Sequence, residues 1–234
     1  LAVPGGRDWL DVGCGTGTLV RAILATESPR TIKGIDRSEG FIASARVAIQ
    51  DDRVSFEAGD AQALPAESAA YDAVVSGLVL NFVPSPERAA SEMFRVTRPG
   101  GLVGVYVWDY AGKMQLMRHF WDAAIALDAN AATFHEGSRF PLCQPEPLEA
   151  LFKATGFDGV LVRDVEVDTV FKDFDDYWSP FLGGQGPAPT YAMSLSNEAR
   201  LALRERIRAG LPIAPDGSIP LTARAWAVRG VRPG

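Results

Sequence analysis

Three glycines, Gly13, Gly15 and Gly17, follow directly after the apolar run 9–12 and precede a segment with helical spacing of apolar residues. Glycine permits a tight turn and lets the backbone come close to a ligand. The first turn of the following helix offers N–H groups that have no partner within the helix. We therefore expect a ligand-binding loop between a buried strand and a helix, in which Cys14 is a small residue that offers its backbone.

The spacing of these glycines separates two classes of ligand. A dinucleotide-binding loop has the pattern G-x-G-x-x-G, but here the third glycine comes one residue early and Thr18 occupies its place. In dinucleotide folds the helix N-terminus holds a pyrophosphate. S-adenosylmethionine has no phosphate and carries an ammonium group, which needs an acidic partner. The spacing therefore favours S-adenosylmethionine and disfavours a nicotinamide-dependent oxidoreductase.

Acidic residues stand at the ends of three successive predicted strands. Asp11 ends the strand 9–12, Asp36 ends the strand 31–36, and Asp60 follows the strand 54–58. We expect Asp11 to lie near the amino group of the ligand and Asp60 to reach the adenine amino group. An acid at the position of Asp36 accepts hydrogen bonds from ribose hydroxyls. The glycine loop and the three acids together predict a site for an adenosine with a cationic tail.

Strand and helix patterns alternate along the first half of the chain, and this alternation predicts a parallel sheet with helices on both faces. Ligands in such sheets bind at the carboxyl ends of the strands. The predicted strands are 9–12, 31–36, 54–58, 71–79, 102–107, 160–171 and 219–228. The predicted helices follow Gly17, Ser38, Ser85 and Ser196 or cover 145–155 and 173–182. Residues 110–143 are also helix-like, and 183–187 is a predicted loop.

Several runs in the first half resemble the class I S-adenosylmethionine-dependent methyltransferase superfamily, and within it the small-molecule type 11 group. They are 11–17, 34–36, 59–61, 71–76 and 95–101. The resemblance implies an α/β fold, a Rossmann-like three-layer α/β/α sandwich with helical lid insertions. Its seven-stranded, mostly parallel sheet would have the order 3-2-1-4-5-7-6 with the last strand antiparallel.

The resemblance also assigns residues to the cofactor, S-adenosylmethionine, and to its product S-adenosylhomocysteine. Asp36 and Arg37 would flank the ribose and adenine, Ala61 would contact adenine through its backbone, and Ser76 and Gly77 would face the methionine end. The full expected set is Asp11, Gly13, Cys14, Gly15, Gly17, Asp36, Arg37, Ser38, Gly59, Asp60, Ala61, Ser76, Gly77 and Phe82.

Methyl transfer requires no covalent catalysis by the protein, because the sulfonium already activates the methyl group. The protein must align the reacting atoms, exclude water and, for some acceptors, remove a proton. The candidates for the base that removes this proton are Asp109, Tyr110 and His119. For Asp109 a capping role is an equal alternative, and for His119 a surface position is the commoner explanation. We expect no metal site.

The second half of the chain is rich in aromatic residues and less regular. We expect a single methyltransferase domain over 1–234, with a cofactor-binding half at 1–109. Segments 110–145 and 172–212 would form a lid over the substrate. Core packing is the alternative explanation for their aromatic stripe.

Composition limits the partners. The chain has 23 basic and 29 acidic residues, a net charge of −6, which disfavours a large nucleic-acid interface. The sequence has no apolar stretch long enough to span a membrane, no secretory signal and only two cysteines, so we expect a cytoplasmic protein. We therefore expect a small-molecule methyl acceptor as the partner, and a homodimer remains an alternative.

The chain starts at Leu1, with no family-type helices before the first strand. This indicates a truncated N-terminus and a cofactor site that is open on that side.

These observations favour an S-adenosylmethionine-dependent methyltransferase of a small, partly apolar metabolite. The alternatives are a cofactor-binding protein without catalysis and a nicotinamide-dependent oxidoreductase. A nucleic-acid methyltransferase is disfavoured by charge and by the lack of an Asn-Pro-Pro-Tyr type motif after the fourth predicted strand.

Overall fold

Strands and helices alternate in the computed structural model, which describes residues 2–183 and 186–234. The strands are β1 (Asp8–Val12), β2 (Thr31–Asp36), β3 (Val54–Ala58), β4 (Tyr71–Gly77), β5 (Thr97–Trp108), β6 (Asp158–Phe171) and β7 (Ile219–Val231). The helices are α1 (Thr18–Thr26), α2 (Glu39–Ala48), α3 (Pro86–Val96), α4 (Gln115–Leu127), α5 (Glu136–Arg139), α6 (Pro145–Thr155), α7 (Phe174–Trp178), α8 (Pro187–Ser194) and α9 (Asn197–Gly210). Short 3₁₀ turns cover Leu80–Phe82, Ala129–Phe134 and Ser179–Leu182.

In the described part of the chain the strands form one seven-stranded sheet with the order β3-β2-β1-β4-β5-β7-β6. The pairs β1–β2, β1–β4, β2–β3 and β4–β5 are parallel. The last strand is antiparallel to β5, because the backbone of Arg232 bonds to Gly100 and Gly101 whereas that of Arg224 bonds to Asp109. The expected Rossmann-like topology is confirmed.

Local signals set the ends of several helices. Ser38 and Ser85 each accept a hydrogen bond from a backbone N–H in the first turn of α2 and α3. Such caps satisfy donors that the helix itself leaves unpaired. Gly156 follows α6 with φ 100°, a left-handed conformation that glycine adopts without steric cost. The predicted starts of α2 and α3 and the predicted end of α6 are therefore confirmed.

Several predicted strand boundaries are wrong. β6 begins at Asp158 rather than at residue 160, and β7 ends at Val231 rather than at residue 228. The fourth strand ends at Gly77 rather than at residue 79, because Leu78 turns the chain with φ 61°. The fifth strand begins at Thr97 rather than at residue 102. Its register against β4 moves from Tyr71–Thr97 to Ala73–Leu102, so Arg98–Gly101 form a bulge within the strand instead of a loop before it.

One helix is absent from the sequence-based expectations. Residues 183–187 are predicted as a loop, but α8 begins at Pro187, where a proline suits the first turn of a helix. Residues 184 and 185 of that loop lie outside the described residues, as does Leu1. No helix among the described residues has the length and apolar character needed to cross a membrane.

The chain divides into two compact units. The first comprises Leu1–Val107, Pro145–Arg163 and Ala227–Gly234, and the second comprises Trp108–Gln144 and Asp164–Trp226. In the first unit, α1 and α2 pack on one side of the sheet through a core that includes Val20, Ile42 and Phe56.

The second unit has a separate core that is rich in aromatic residues. Six aromatic residues of the predicted lid segments are buried within this core: Phe120, Trp121, Phe174, Tyr177, Trp178 and Phe181. The ring of Phe120 stacks on that of Phe181 with centroids 4.5 Å apart. These six side chains therefore pack in the core of the second unit.

The amino-terminal end of β1 carries an ion-pair network. The Asp8 carboxylate accepts hydrogen bonds from Arg30, from the Thr31 hydroxyl at 2.8 Å and from Arg98 at 3.2 Å. Asp72 accepts from the Asp8 backbone at 2.9 Å and from Arg98 at 2.7 Å. The hydrogen bond from Arg30, with those from Thr31 and Arg98, holds the pKa of Asp8 well below its usual range despite burial.

Candidate functional site

The glycine loop leaves β1 at Val12 and enters α1 at Thr18. Gly13 has φ 75°, and a side chain there would overlap that of Val79. Gly15 has φ 53° and open space beside its α-carbon, since a Cβ there would meet no atom within 4 Å. The backbone N–H groups of Gly13 and Cys14 donate to the carbonyl of Ile35, which ties the loop to β2. The loop is thus held at its first turn and open at Gly15.

Asp36 lies at the end of β2 and holds two neighbouring segments. Its Oδ2 accepts a hydrogen bond from the Gly15 N–H at 3.0 Å, and its Oδ1 accepts from the Ser38 N–H at 2.8 Å. Ser38 in turn caps α2, whereas Arg37 between them is exposed. Each carboxylate oxygen can accept more than one hydrogen bond. Asp36 therefore orders the loop and keeps acceptor capacity for a ligand.

Asp60 lies in the loop after β3. It accepts hydrogen bonds from the backbone N–H of Gln62 at 2.8 Å and from the Gln62 side chain, and the first of these lowers the pKa of Asp60 most. The carbonyl of the Gln62 side chain accepts from the Ser85 N–H at 3.0 Å. The Gly59 N–H donates to the carbonyl of Asp36 at 3.0 Å. These bonds place Asp60 and the half-buried Ala61 at the same sheet edge as Asp36.

Asp11 differs from the other two acids in being buried, with 1% of its surface exposed. Within the described residues neither of its carboxylate oxygens has a hydrogen-bond partner. Burial, and to a smaller extent the Asp36 carboxylate, raise the pKa of Asp11 to about 7. Buried polar groups nearly always have partners, so an unpartnered one indicates a functional site.

The end of β4 has a different arrangement from the expected one. Ser76 is fully buried, and its hydroxyl donates to the carbonyl of Val12 at 2.7 Å, so it holds β4 to β1. Gly77 is covered by the ring of Tyr106, whose hydroxyl oxygen would lie 2.5 Å from a Cβ at Gly77. Sequence reasoning missed Tyr106. The signal that could have found it is a large side chain on β5 in register with a glycine on β4.

The turn after β4 carries Asn81 and Phe82. The Asn81 Nδ2 group is buried and has no hydrogen-bond partner within the described residues, and Phe82 has 57% of its surface exposed. The first unit thus holds an unpartnered buried acceptor at Asp11 and an unpartnered buried donor at Asn81.

The three candidates for proton removal belong to the second unit. The Asp109 carboxylate accepts from the N–H groups of Gly112 and Lys113 and forms an ion pair with Arg224 at 2.7 Å. These partners hold the turn before α4 and neutralise Asp109; the residue at the N-cap of α4 is Met114, so Asp109 is not the cap of that helix. Burial strongly raises the pKa of the Tyr110 hydroxyl and lowers the pKa of the half-buried His119.

Comparisons with known proteins identify a family for the chain. A family model described as a methyltransferase domain matches residues 10–105. The methyltransferase GfsG of Streptomyces halstedii is 35% identical over 198 residues, which cover 80% of this chain and 68% of that protein. An uncharacterized protein of Mycobacterium tuberculosis is 33% identical over 105 residues, and the match covers 44% of this chain but only 38% of that longer protein.

Solved structures show the same fold at low sequence identity. Phosphoethanolamine N-methyltransferase 2 of Haemonchus contortus, in complex with S-adenosylhomocysteine, aligns with a TM-score of 0.62 and 19% identity over 99% of this chain and 50% of that one. The [4+2]-cyclase SpnF aligns with a TM-score of 0.61 and 22% identity over 99% of this chain and 78% of that one.

Proposed function

Because the chain belongs to the class I S-adenosylmethionine-dependent methyltransferases, in the type 11 group, we propose that it methylates a small, partly apolar metabolite by in-line displacement. The cofactor of this family is S-adenosylmethionine, and S-adenosylhomocysteine is the product. The observation that carries the proposal is the unpartnered carboxylate of Asp11, buried beside the glycine loop.

The residues present fit this cofactor. An ammonium group satisfies the unpartnered oxygens of Asp11, and a carboxylate satisfies the unpartnered Nδ2 of Asn81. An amino-acid tail carries both groups. The open space at Gly15 leaves room for a ligand against the backbone, and Asp36 and Asp60 keep acceptor capacity for ribose hydroxyls and the adenine amino group.

Each remaining expected residue has a supporting role in this proposal. Gly13, Cys14 and Gly17 shape the loop, Ser38 and Gly59 hold the segments around Asp36, and Ser76 holds β4 to β1. The side chains of Arg37 and Phe82 are both exposed, and we expect them to lie against the adenosine. Ala61 would contact adenine through its backbone.

When bound, S-adenosylmethionine supplies a methyl group that its sulfonium has already activated. The chain's own residues then have to orient the tail and the ribose and to keep water away from the reacting atoms. We do not assign proton removal to Asp109, since Arg224 and two N–H groups occupy its carboxylate. His119 stays a candidate for proton removal; it is half-buried, and burial lowers its pKa, which favours the neutral imidazole. Acceptor binding by 110–145 and 172–212 stays a prediction from sequence.

Calorimetry on the Asp36→Ala variant tests the proposal. Wild-type protein should bind S-adenosylmethionine and S-adenosylhomocysteine but not NAD. Loss of a carboxylate that accepts hydrogen bonds should raise Kd for both by roughly 10-fold to 100-fold. The exposed Asp52 offers a matched control, and Asp52→Ala should leave Kd unchanged.

Two results would contradict the proposal. One is an unchanged Kd in a folded Asp36→Ala variant, as judged by circular dichroism. The other is tight binding without methyl transfer to any acceptor in a broad metabolite screen, which would indicate a cofactor-binding protein without catalysis.

A further inference from the structure

Tyr106 lies on the same sheet face as the unpartnered acid Asp11. The register pairs Asp11 with Val75 and Gly77 with Tyr106. Since Val75 and Gly77 are two residues apart on β4, their side-chain positions are on the same face. The ring of Tyr106 extends over the α-carbon of Gly77, where any other residue would collide with it.

The Tyr106 hydroxyl is near enough to Asp11 for the two groups to influence each other. Burial first, and then the charge of Asp11, raise the pKa of Tyr106. Within the described residues this hydroxyl makes no hydrogen bond, so it is free to donate one. The turn after β4 is strained, because Leu78 has φ 61°. The Leu78 N–H donates a hydrogen bond to the Tyr106 carbonyl at 2.8 Å, which holds this turn against β5.

Within residues 2–183 and 186–234, the titratable groups that face Asp11 are all acidic. Asp36 approaches from β2, the Cys14 thiol from the glycine loop, and the Tyr106 hydroxyl from β5. Ser76 on β4 is neutral, and its hydroxyl is directed to Val12. A buried acid among such neighbours favours its protonated form at and below neutral pH, whereas a nearby cation favours the ionised form.

We propose that Tyr106 is a positioning residue that acts through Asp11, and that entry of the cofactor's cationic tail releases the Asp11 proton to solvent. The inference rests on the proposed function. In the free protein the carboxyl of Asp11 holds a proton. The Tyr106 hydroxyl donates a hydrogen bond to the ionised form of Asp11, with or without ligand. On binding, the ammonium pairs with the carboxylate and one proton passes to the buffer.

Calorimetry in buffers of different ionisation enthalpy measures this proton directly. Binding of S-adenosylhomocysteine should release nearly one proton at pH 6 and almost none at pH 8.5. Its Kd should rise about tenfold for each pH unit below the Asp11 midpoint and be constant above it. Adenosine has no amino-acid tail and should bind without proton release.

The Tyr106→Phe variant separates a positioning role from packing, because the ring stays and only the donor is lost. The midpoint of proton release should move to higher pH. Kd should rise several-fold at pH 7, and the difference from wild type should narrow at pH 8.5. The control is Tyr71→Phe, since Tyr71 is also half-buried but lies at the opposite end of β4. It should leave midpoint and Kd unchanged.

Two outcomes overturn the inference while leaving the proposed function intact. Wild-type protein that binds S-adenosylhomocysteine at pH 6 without proton release excludes the linkage. A Tyr106→Phe midpoint equal to that of wild type excludes the positioning role. If the wild-type chain binds neither S-adenosylmethionine nor S-adenosylhomocysteine, the proposed function fails and the inference fails with it. Carboxyl ¹³C NMR on the free protein should show an Asp11 midpoint near neutrality, above that of an ordinary aspartate.

Discussion

Two aspartates on β1, three residues apart, have opposite surroundings. Asp8 at the amino end is held by Arg30, Thr31 and Arg98, whereas Asp11 at the carboxyl end has no partner among the described residues. Both are buried. The pKa of Asp8 is lowered chiefly by the hydrogen bond from Arg30, and the pKa of Asp11 is raised to about 7 chiefly by burial.

The two shifts have opposite consequences for stability. Asp8 stabilises the fold above the pKa of an unfolded aspartate, and this contribution is lost as pH falls through its lowered folded value. For Asp11 the protonated form is favoured in the folded state. The contribution of protonated Asp11 to the stability of the fold is complete below about pH 4 and is lost as pH rises through about 7. One end of the strand is arranged for stability and the other for a ligand.

The largest effect is expected for Asp11→Asn. The amide cannot ionise, so S-adenosylhomocysteine should bind roughly 100-fold or more weakly. The same change should raise the free energy of unfolding at pH 8 by up to about 4 kcal/mol, since about three pKa units of unfavourable ionisation are removed. Urea denaturation of both proteins at pH 4 and pH 8 measures this. A variant less stable than wild type at pH 8 would contradict the assignment of Asp11.

The Asp8→Asn variant should show the reverse behaviour. It removes the anionic partner of Arg30 and Arg98 and should lower the free energy of unfolding by about 2 kcal/mol at pH 7. The Kd for S-adenosylhomocysteine should stay within twofold of wild type, because Asp8 lies at the other end of the strand. A large change in Kd for Asp8→Asn, with stability equal to that of wild type, would contradict the assignment of the amino end of β1 to stability and of the carboxyl end to ligand binding.

A smaller effect is expected for Gly77→Ala. The added methyl group would meet the Tyr106 hydroxyl at 2.5 Å and displace the ring. We expect a loss of about 1–2 kcal/mol in stability and weaker cofactor binding. Gly40→Ala is the control, because Gly40 is exposed in α2 and its Cβ would have space, so that variant should be as stable as wild type or more so. Equal behaviour of the two variants would show that Gly77 needs no free space.

Elements with local signals could be predicted from the sequence, and those set by neighbouring strands could not. The bounds of β2 and β3 and the caps at Ser38 and Ser85 follow from nearby residues. The start of β5 at Thr97 depends on its bulged pairing with β4, which the apolar pattern does not contain.

The candidate site divides in the same way. The glycine loop, Asp36 and Asp60 could be placed from spacing alone, because the carboxyl ends of parallel strands share an edge. Tyr106 could not, since its role depends on the register between two strands. The ion pair of Asp109 is with Arg224, which is 115 residues away in the sequence. Contacts between residues so far apart in the sequence become visible only in the folded structure.

Cys14 places a sulfur atom in the middle of the loop that we propose to hold an alkylating agent. Thiolates, not thiols, are the nucleophiles. Burial, together with the charges of Asp11 and Asp36, raises the pKa of Cys14 to about 12, so only about one molecule in 10⁵ carries the thiolate at neutral pH. Burial of the thiol, aided by the acids beside the loop, therefore also protects Cys14 from being methylated by the ligand that the loop holds.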